Sequence, residues 1–139
     1  MTERTPEALP IALVGLDGHV VGLDRRTGQI LWKNGLIGGL DKEVELACYG
    51  NYVFASASGP KLFALDYFTG EQIWAVPTSG SGRAALVVEP DMVMCAKEGA
   101  IDCYNFAGQR LWSQALRGLG TGKIAMGFPG NLRQADEGS

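Results

Sequence analysis

Residues 61–74 read KLFALDYFTGEQIW. Strand-like apolar alternation lies on both sides of Gly70, and the phrase ends on Trp74. It returns at 19–32 as HVVGLDRRTGQILW and at 99–112 as GAIDCYNFAGQRLW. Trp32, Trp74 and Trp112 therefore stand 42 and 38 residues apart, each four residues after a glycine, namely Gly28, Gly70 and Gly108. A period near 40 built from hairpins is the signature of a propeller blade.

Working outward from the phrase gives four strand types per repeat. An innermost type reads EVELACY (43–49), AALVVE (84–89) and KIAMGF (123–128). The second reads IALVGL (11–16), YVFASAS (52–58) and MVMCAK (92–97). The third reads HVVGLD (19–24), KLFALD (61–66) and AIDCYN (100–105), and the outermost QILWKN (29–34), EQIWAV (71–76) and QRLWSQ (109–114). Asp17-Gly18, Gly59-Pro60 and Glu98-Gly99 separate the second type from the third. Glycine suits such turns because it takes positive φ at little cost. The expected fold is all-β, with three four-stranded antiparallel blades over residues 10–131. Residues 1–9 form an N-terminal segment and 132–139 a polar C-terminal tail.

Leu23-Asp24…Thr27-Gly28…Trp32 and Ala64-Leu65-Asp66…Thr69-Gly70…Trp74 resemble the tryptophan-docking repeat of the pyrroloquinoline-quinone-type (quinoprotein-like) propellers, of the form A-L-D-x-x-T-G-x-x-x-W. Gly22 replaces the motif Ala in the first copy. The third copy departs further: Asp102 is placed at the Ala position, Tyr104 at the Asp position and Ala107 at the Thr position. The resemblance covers roughly residues 10–131. It implies that Trp32, Trp74 and Trp112 dock between neighbouring blades, a role that suits a flat side chain burying ~150–250 Å².

The ends carry further information. Counting back without gaps from Asp24 and Asp66 sets Pro10 opposite Tyr52, so the first blade lacks an innermost strand. Residues 123–128 supply a spare one, with Gly130-Asn131 matching Gly50-Asn51. Propellers have about four to eight blades, and two copies of a three-blade chain give six. The expected assembly is a homodimer: a six-bladed ring closed head to tail, each C-terminal strand completing the other chain's first blade.

Composition narrows the setting. The chain has 139 residues, 46% of them apolar, which is enough for a packed core. Its net charge of −3 does not favour nucleic acid. The N-terminal MTERTPEALP has neither a basic nor an apolar signal region, and the apolar runs are too short to span a bilayer. A cytoplasmic protein without membrane insertion is expected. Cys48, Cys95 and Cys103 are odd in number and lie in apolar runs, as small hydrophobes do. Cys95 and Cys103 flank Glu98-Gly99, so a disulfide across that hairpin is the alternative to free thiols. No CxxC spacing and a single His19 leave no metal set.

No catalytic constellation, cofactor site or metal site is legible. A Ser–His–Asp triad would need His19, which follows a tight turn. The quinone enzymes of the family this repeat resembles bind cofactor and calcium within larger rings, and this sequence offers no adjacent cysteines and no cluster of acids and amides. Gly118–Lys123 suggests a phosphate loop, but a strand follows where a phosphate loop leads into a helix. Lys42, Arg83 and Lys123 occupy equivalent places entering the innermost strands, and in a closed ring they would encircle the channel mouth as a possible anion site. The function expected is a non-catalytic scaffold or protein-interaction module with a protein partner. The alternative is a small-ligand or anion sensor using the channel mouth.

Overall fold

The computed structural model describes residues 9–36, 43–57, 61–120 and 124–133, with the side chains of Ser81 and Arg83 outside the description. Strands β1 (Ile11–Leu16), β2 (His19–Asp24) and β3 (Ile30–Gly35) form a three-stranded antiparallel sheet. A four-stranded sheet follows from β4 (Glu45–Tyr49), β5 (Tyr52–Ser56), β6 (Lys61–Asp66) and β7 (Gln72–Pro77). Another follows from β8 (Ser81–Glu89), β9 (Met92–Glu98), β10 (Ala100–Tyr104) and β11 (Arg110–Gln114). A hairpin of β12 (Met126–Phe128) and β13 (Asn131–Arg133) ends the described chain. These are three blades and the start of a fourth, and every ladder is antiparallel. The first blade has no innermost strand among the described residues.

The turns form for local reasons. Asp17 (φ 47°) and Gly18 (φ 77°) both take positive φ, which a two-residue hairpin turn of the primed type requires. At the outer turn of the first blade, one carboxylate oxygen of Asp24 accepts the N–H groups of Arg26 and Thr27 at 2.8 and 3.0 Å. Asp66 does the same for Phe68 and Thr69 at 2.8 and 3.0 Å. These backbone bonds hold the Asp24 carboxyl below its ordinary range.

In the third blade the capping residue is Asn105, whose side-chain oxygen accepts from Ala107 and Gln109 at 3.0 and 2.9 Å. The turn there is one residue shorter. Cys103 pairs with Trp112 as Gly22 pairs with Trp32 and Ala64 with Trp74. The motif Ala position thus belongs to Cys103 and the motif Asp position to Asn105, which corrects the assignment of Asp102 and Tyr104. Two further registers shift by one. Ile11, not Pro10, matches Tyr52, because they face Asp24 and Asp66. Pro129-Gly130, not Gly130-Asn131, is the counterpart of Gly50-Asn51, since Phe128 pairs with Asn131 as Tyr49 pairs with Tyr52. The last strand therefore takes in Leu132 and Arg133, and β12 pairs with the chain's own β13.

Each blade carries a bulge at the same place. The ladder shifts between Gly22 and Leu23, between Ala64 and Leu65, and between Cys103 and Tyr104. The extra residues are Leu31, Ile73 and Leu111, each directly before the Trp. A bulge bends its strand and re-aims the neighbouring side chain, here the Trp.

The core lies between blades. Val53, Ala55, Phe63 and Leu65 of the second blade pack on Val20, Trp32 and Leu36 of the first. Val93, Cys95 and Tyr104 of the third pack on Phe54, Leu62 and Ala64 of the second. Met94, Ala96 and Cys103 turn the other way and pack on Met126.

Candidate functional site

The repeated chemistry of this chain is its blade junction. At the first junction the Trp32 indole N–H donates to the Tyr67 carbonyl at 3.0 Å. Its ring lies on Gly70, where a Cβ would overlap it. At the second, Trp74 donates to the Phe106 carbonyl at 2.9 Å and its ring lies on Gly108. Tyr67 and Phe106 are the residues directly after the capping Asp66 and Asn105. The Tyr67 hydroxyl adds a clasp, donating to the Ile11 carbonyl at 2.9 Å and accepting the Ile11 N–H at 2.8 Å. Gly22, where the motif has Ala, leaves room for the Trp32 ring, which a Cβ there would overlap. Trp32 and Trp74 thus each bridge two blades of the chain, whereas Trp112, on the last of the three blades, is 42% exposed within the single chain, against 8% for Trp32.

The second junction also holds buried polar groups that the sequence reading missed. Lys97, Asp102 and Ser56 are buried. One Asp102 carboxylate oxygen accepts the Ser79 N–H at 2.6 Å, and the other lies 3.9 Å from Arg110 Nε. Tyr104 donates its hydroxyl to the Pro77 carbonyl at 2.6 Å, and the Arg110 guanidinium carbon stands 5.9 Å from the centre of its ring. Burial lowers the Lys97 pKa, with Cys95 and Asp102 acting against that effect. Burial pushes the Cys95 thiol up to about 12, so it is a poor nucleophile at neutral pH. At the first junction the matching positions are Ala57, Phe63 and Leu65. The positions that carry Lys97, Asp102 and Tyr104 at the second junction are thus all apolar at the first. The only sequence signal was the charge of Asp102 and Lys97, and their shared face emerges only with the register.

All three cysteines are free. Cys95 pairs with Asp102 and Cys103 with Met94, so the two thiols do not meet across the hairpin and the disulfide alternative is removed. His19 is exposed, with Nδ1 3.1 Å from the Asp17 carbonyl oxygen, a local turn contact and not a triad. Lys42 and Lys123 lie outside the described residues, as does the side chain of Arg83, so the structure does not bear on the cation ring. Gly59-Pro60 lies outside as well. Among the described residues no three His, Cys, Asp or Glu side chains converge as a metal site, and no helix is long and apolar enough to cross a membrane.

Comparison with known proteins agrees with this geometry. The sequence profile of the family described as outer membrane protein assembly factor BamB matches residues 16–131. The chain superposes on BamB from Moraxella catarrhalis with a TM-score of 0.62 at 22% identity, over 84% of this chain and 36% of that one. A europium-containing methanol dehydrogenase gives 0.65 at 20% identity, over 76% and 23%. The computationally designed Ika4 protein gives 0.67 at 24% identity, over 78% and 68%. The chain therefore spans 36% of the BamB chain's length and 23% of the dehydrogenase's. No curated protein matches the sequence significantly.

Proposed function

The chain belongs to the outer membrane protein assembly factor BamB family, and on that premise we propose that it is a non-catalytic protein-interaction module. The observation that carries this reading is the rim. The bulged residues Leu31, Ile73 and Leu111 are 49%, 48% and 49% exposed, one per blade on the outermost strand. An apolar side chain presented at one register position in three blades is suited to a partner that spans them. The family description, an assembly factor, supports the same reading. The three free cysteines support a reducing setting, and we place the protein in the cytosol. We also propose that the chain assembles with itself into a closed ring.

The test is capture from the native source on the immobilised full chain, beside the triple variant Leu31→Ser, Ile73→Ser, Leu111→Ser. The expected result is one protein retained near one-to-one by the parent and lost from the variant. Identical retention by both, or no stoichiometric protein on the parent, overturns the rim as the interaction surface.

A further inference from the structure

The two junctions inside the chain define a donor face and an acceptor face, and among the described residues one more of each stands without a counterpart. The unmatched donor is Trp112, exposed at the outer end of the third blade. The unmatched acceptor is the outer turn of the first blade. Arg25 there follows the capping Asp24 as Tyr67 follows Asp66. The Arg25 N–H donates to the Pro10 carbonyl at 2.9 Å as that of Tyr67 does to Asn51 at 2.8 Å. Gly28 has φ 77° against 75° at Gly70. The two turns share one backbone geometry, yet a Cβ on Gly28 would meet nothing within 4 Å. A hollow lined by Pro10, Asp24, Arg25 and Arg26 opens there.

The sheet behind that turn has the same character. By register, Ala12, Val14 and Val21 match Val53, Ala55 and Phe63, all buried in the second blade. In the first blade Val14 is 37% and the neighbouring Leu16 62% exposed. A second hollow, lined by Leu16, His19, Val21 and Lys33 among others, lies on this sheet. The outgoing face of the third blade is covered at its inner end by Met126 and left open at Trp112.

We propose that these two faces are halves of one interface between copies of this chain. Trp112 of one copy lies on Gly28 of the next and donates its indole N–H to the Arg25 carbonyl. The occupant is a second copy because this chain twice builds the same contact within itself, with the same side chain on the same turn. The incoming β1 would take the place of β13 on β12: Ile11-Ala12-Leu13 and Asn131-Leu132-Arg133 are register equivalents. Displacing β13 breaks the hydrogen bonds from the Asn131 amide to the Val88 carbonyl and the Glu89 carboxylate and the exposed Arg133–Glu45 ion pair at 2.7 Å, and Ile11 exchanges its two bonds to the Tyr67 hydroxyl for the ladder with β12. Exposed ion pairs contribute little, and in exchange the open faces of Val14 and Leu16 are covered. This inference rests on the self-assembly in the proposed function but not on the rim. A monomer that still retains its partner would overturn the interface and leave the interaction module standing.

The test uses complementary variants in sedimentation velocity. The parent is expected near twice its 14.8 kDa mass. Trp112→Ala removes the donor face and Val14→Lys the acceptor face, each in both junctions of a two-copy ring. Each alone should weaken association roughly thirtyfold or more, the effect of losing a central aromatic anchor. Mixed together, the two variants should recover a dimer, because the intact Trp112 of one meets the intact first blade of the other. Trp112→Phe keeps the ring but not the N–H, and an intermediate loss separates docking from misfolding, with circular dichroism verifying each variant's fold. A parent that stays a folded monomer at micromolar concentration overturns the proposal. So does Trp112→Ala running at parental mass, or a mixture that gains nothing over its components.

Discussion

The Trp32 ring lies flat on the backbone of Gly70, one blade away, in the space that a Cβ at Gly70 would fill. Two constraints meet at that glycine: a left-handed backbone and a ring against its Cα. Gly28 has the first constraint without the second in the single chain. Gly70→Ala should therefore cost about 1–3 kcal/mol more than Gly28→Ala, the usual range for forcing volume into a packed site. Urea melts of both variants at low protein concentration measure the difference, and equal midpoints would mean that the ring is not seated on the glycine.

The three Trp residues should rank by burial. Trp32→Ala removes the most buried ring and orphans its contact with the Tyr67 carbonyl, at a cost of ~3–5 kcal/mol. Trp74, half-buried, should cost less. Trp112→Ala should change the dilute chain by less than about 0.5 kcal/mol, as surface changes do. A large loss from Trp112→Ala in the dilute monomer would contradict the exposure described for it.

Tyr67→Phe leaves the ring packing and removes the clasp on Ile11. Both backbone groups of Ile11 lose their partner, but the strand is half-exposed and water replaces part of the loss. A cost of about 1 kcal/mol is expected. The specific sign is faster amide hydrogen exchange at Ile11, with the amides of β6 unchanged.

The cysteines give a pH test. Cys95 has its folded pKa raised from 9.0 to about 12 by burial. The folded chain then holds a proton that the unfolded chain releases, so this contribution is present below pH 9 and is lost as pH climbs from 9.0 toward about 12. Lys97 acts in the opposite sense: its folded pKa is lowered by burial, so its contribution rises with pH from that lowered value up to 10.5 and is flat above it. Cys95→Ala should flatten the alkaline loss in denaturant midpoints between pH 8 and about 10. At neutral pH a thiol reagent should modify exposed Cys48 first, while Cys95 and Cys103 react at the rate of unfolding.

Much of the fold was legible because one phrase carries several constraints at once. Asp24 and Asp66 cap the turn, the glycine supplies positive φ, and the Trp sits four residues on. The third repeat is harder to place because its Gly–Trp spacing is constant and so carries no sign of a change elsewhere. The turn shortens on the other side, between Asn105 and Gly108, and an amide oxygen serves the turn as a carboxylate does. The registers at Pro10 and Asn131 slipped by one for a similar reason: hairpin loops differ in length, and counting without gaps cannot see it. The polar pocket at the second junction was not legible at all. Nothing local in Lys97 or Asp102 says that both turn toward the neighbouring blade.

In the proposed interface between copies, the bulge before each Trp bears on how many copies a ring would take. It aims every docking side chain in one rotational sense, so each blade hands on to a following one and none faces its own kind. Such a contact has polarity, like a hook and an eye on opposite ends of one link, and contains no stop signal. The number of links is then decided by angle: a turn that divides evenly into a circle gives a finite particle, and one that falls short gives an open spiral. Changes in the angle between blades, far from either contact surface, would thus alter the stoichiometry without altering the contact itself.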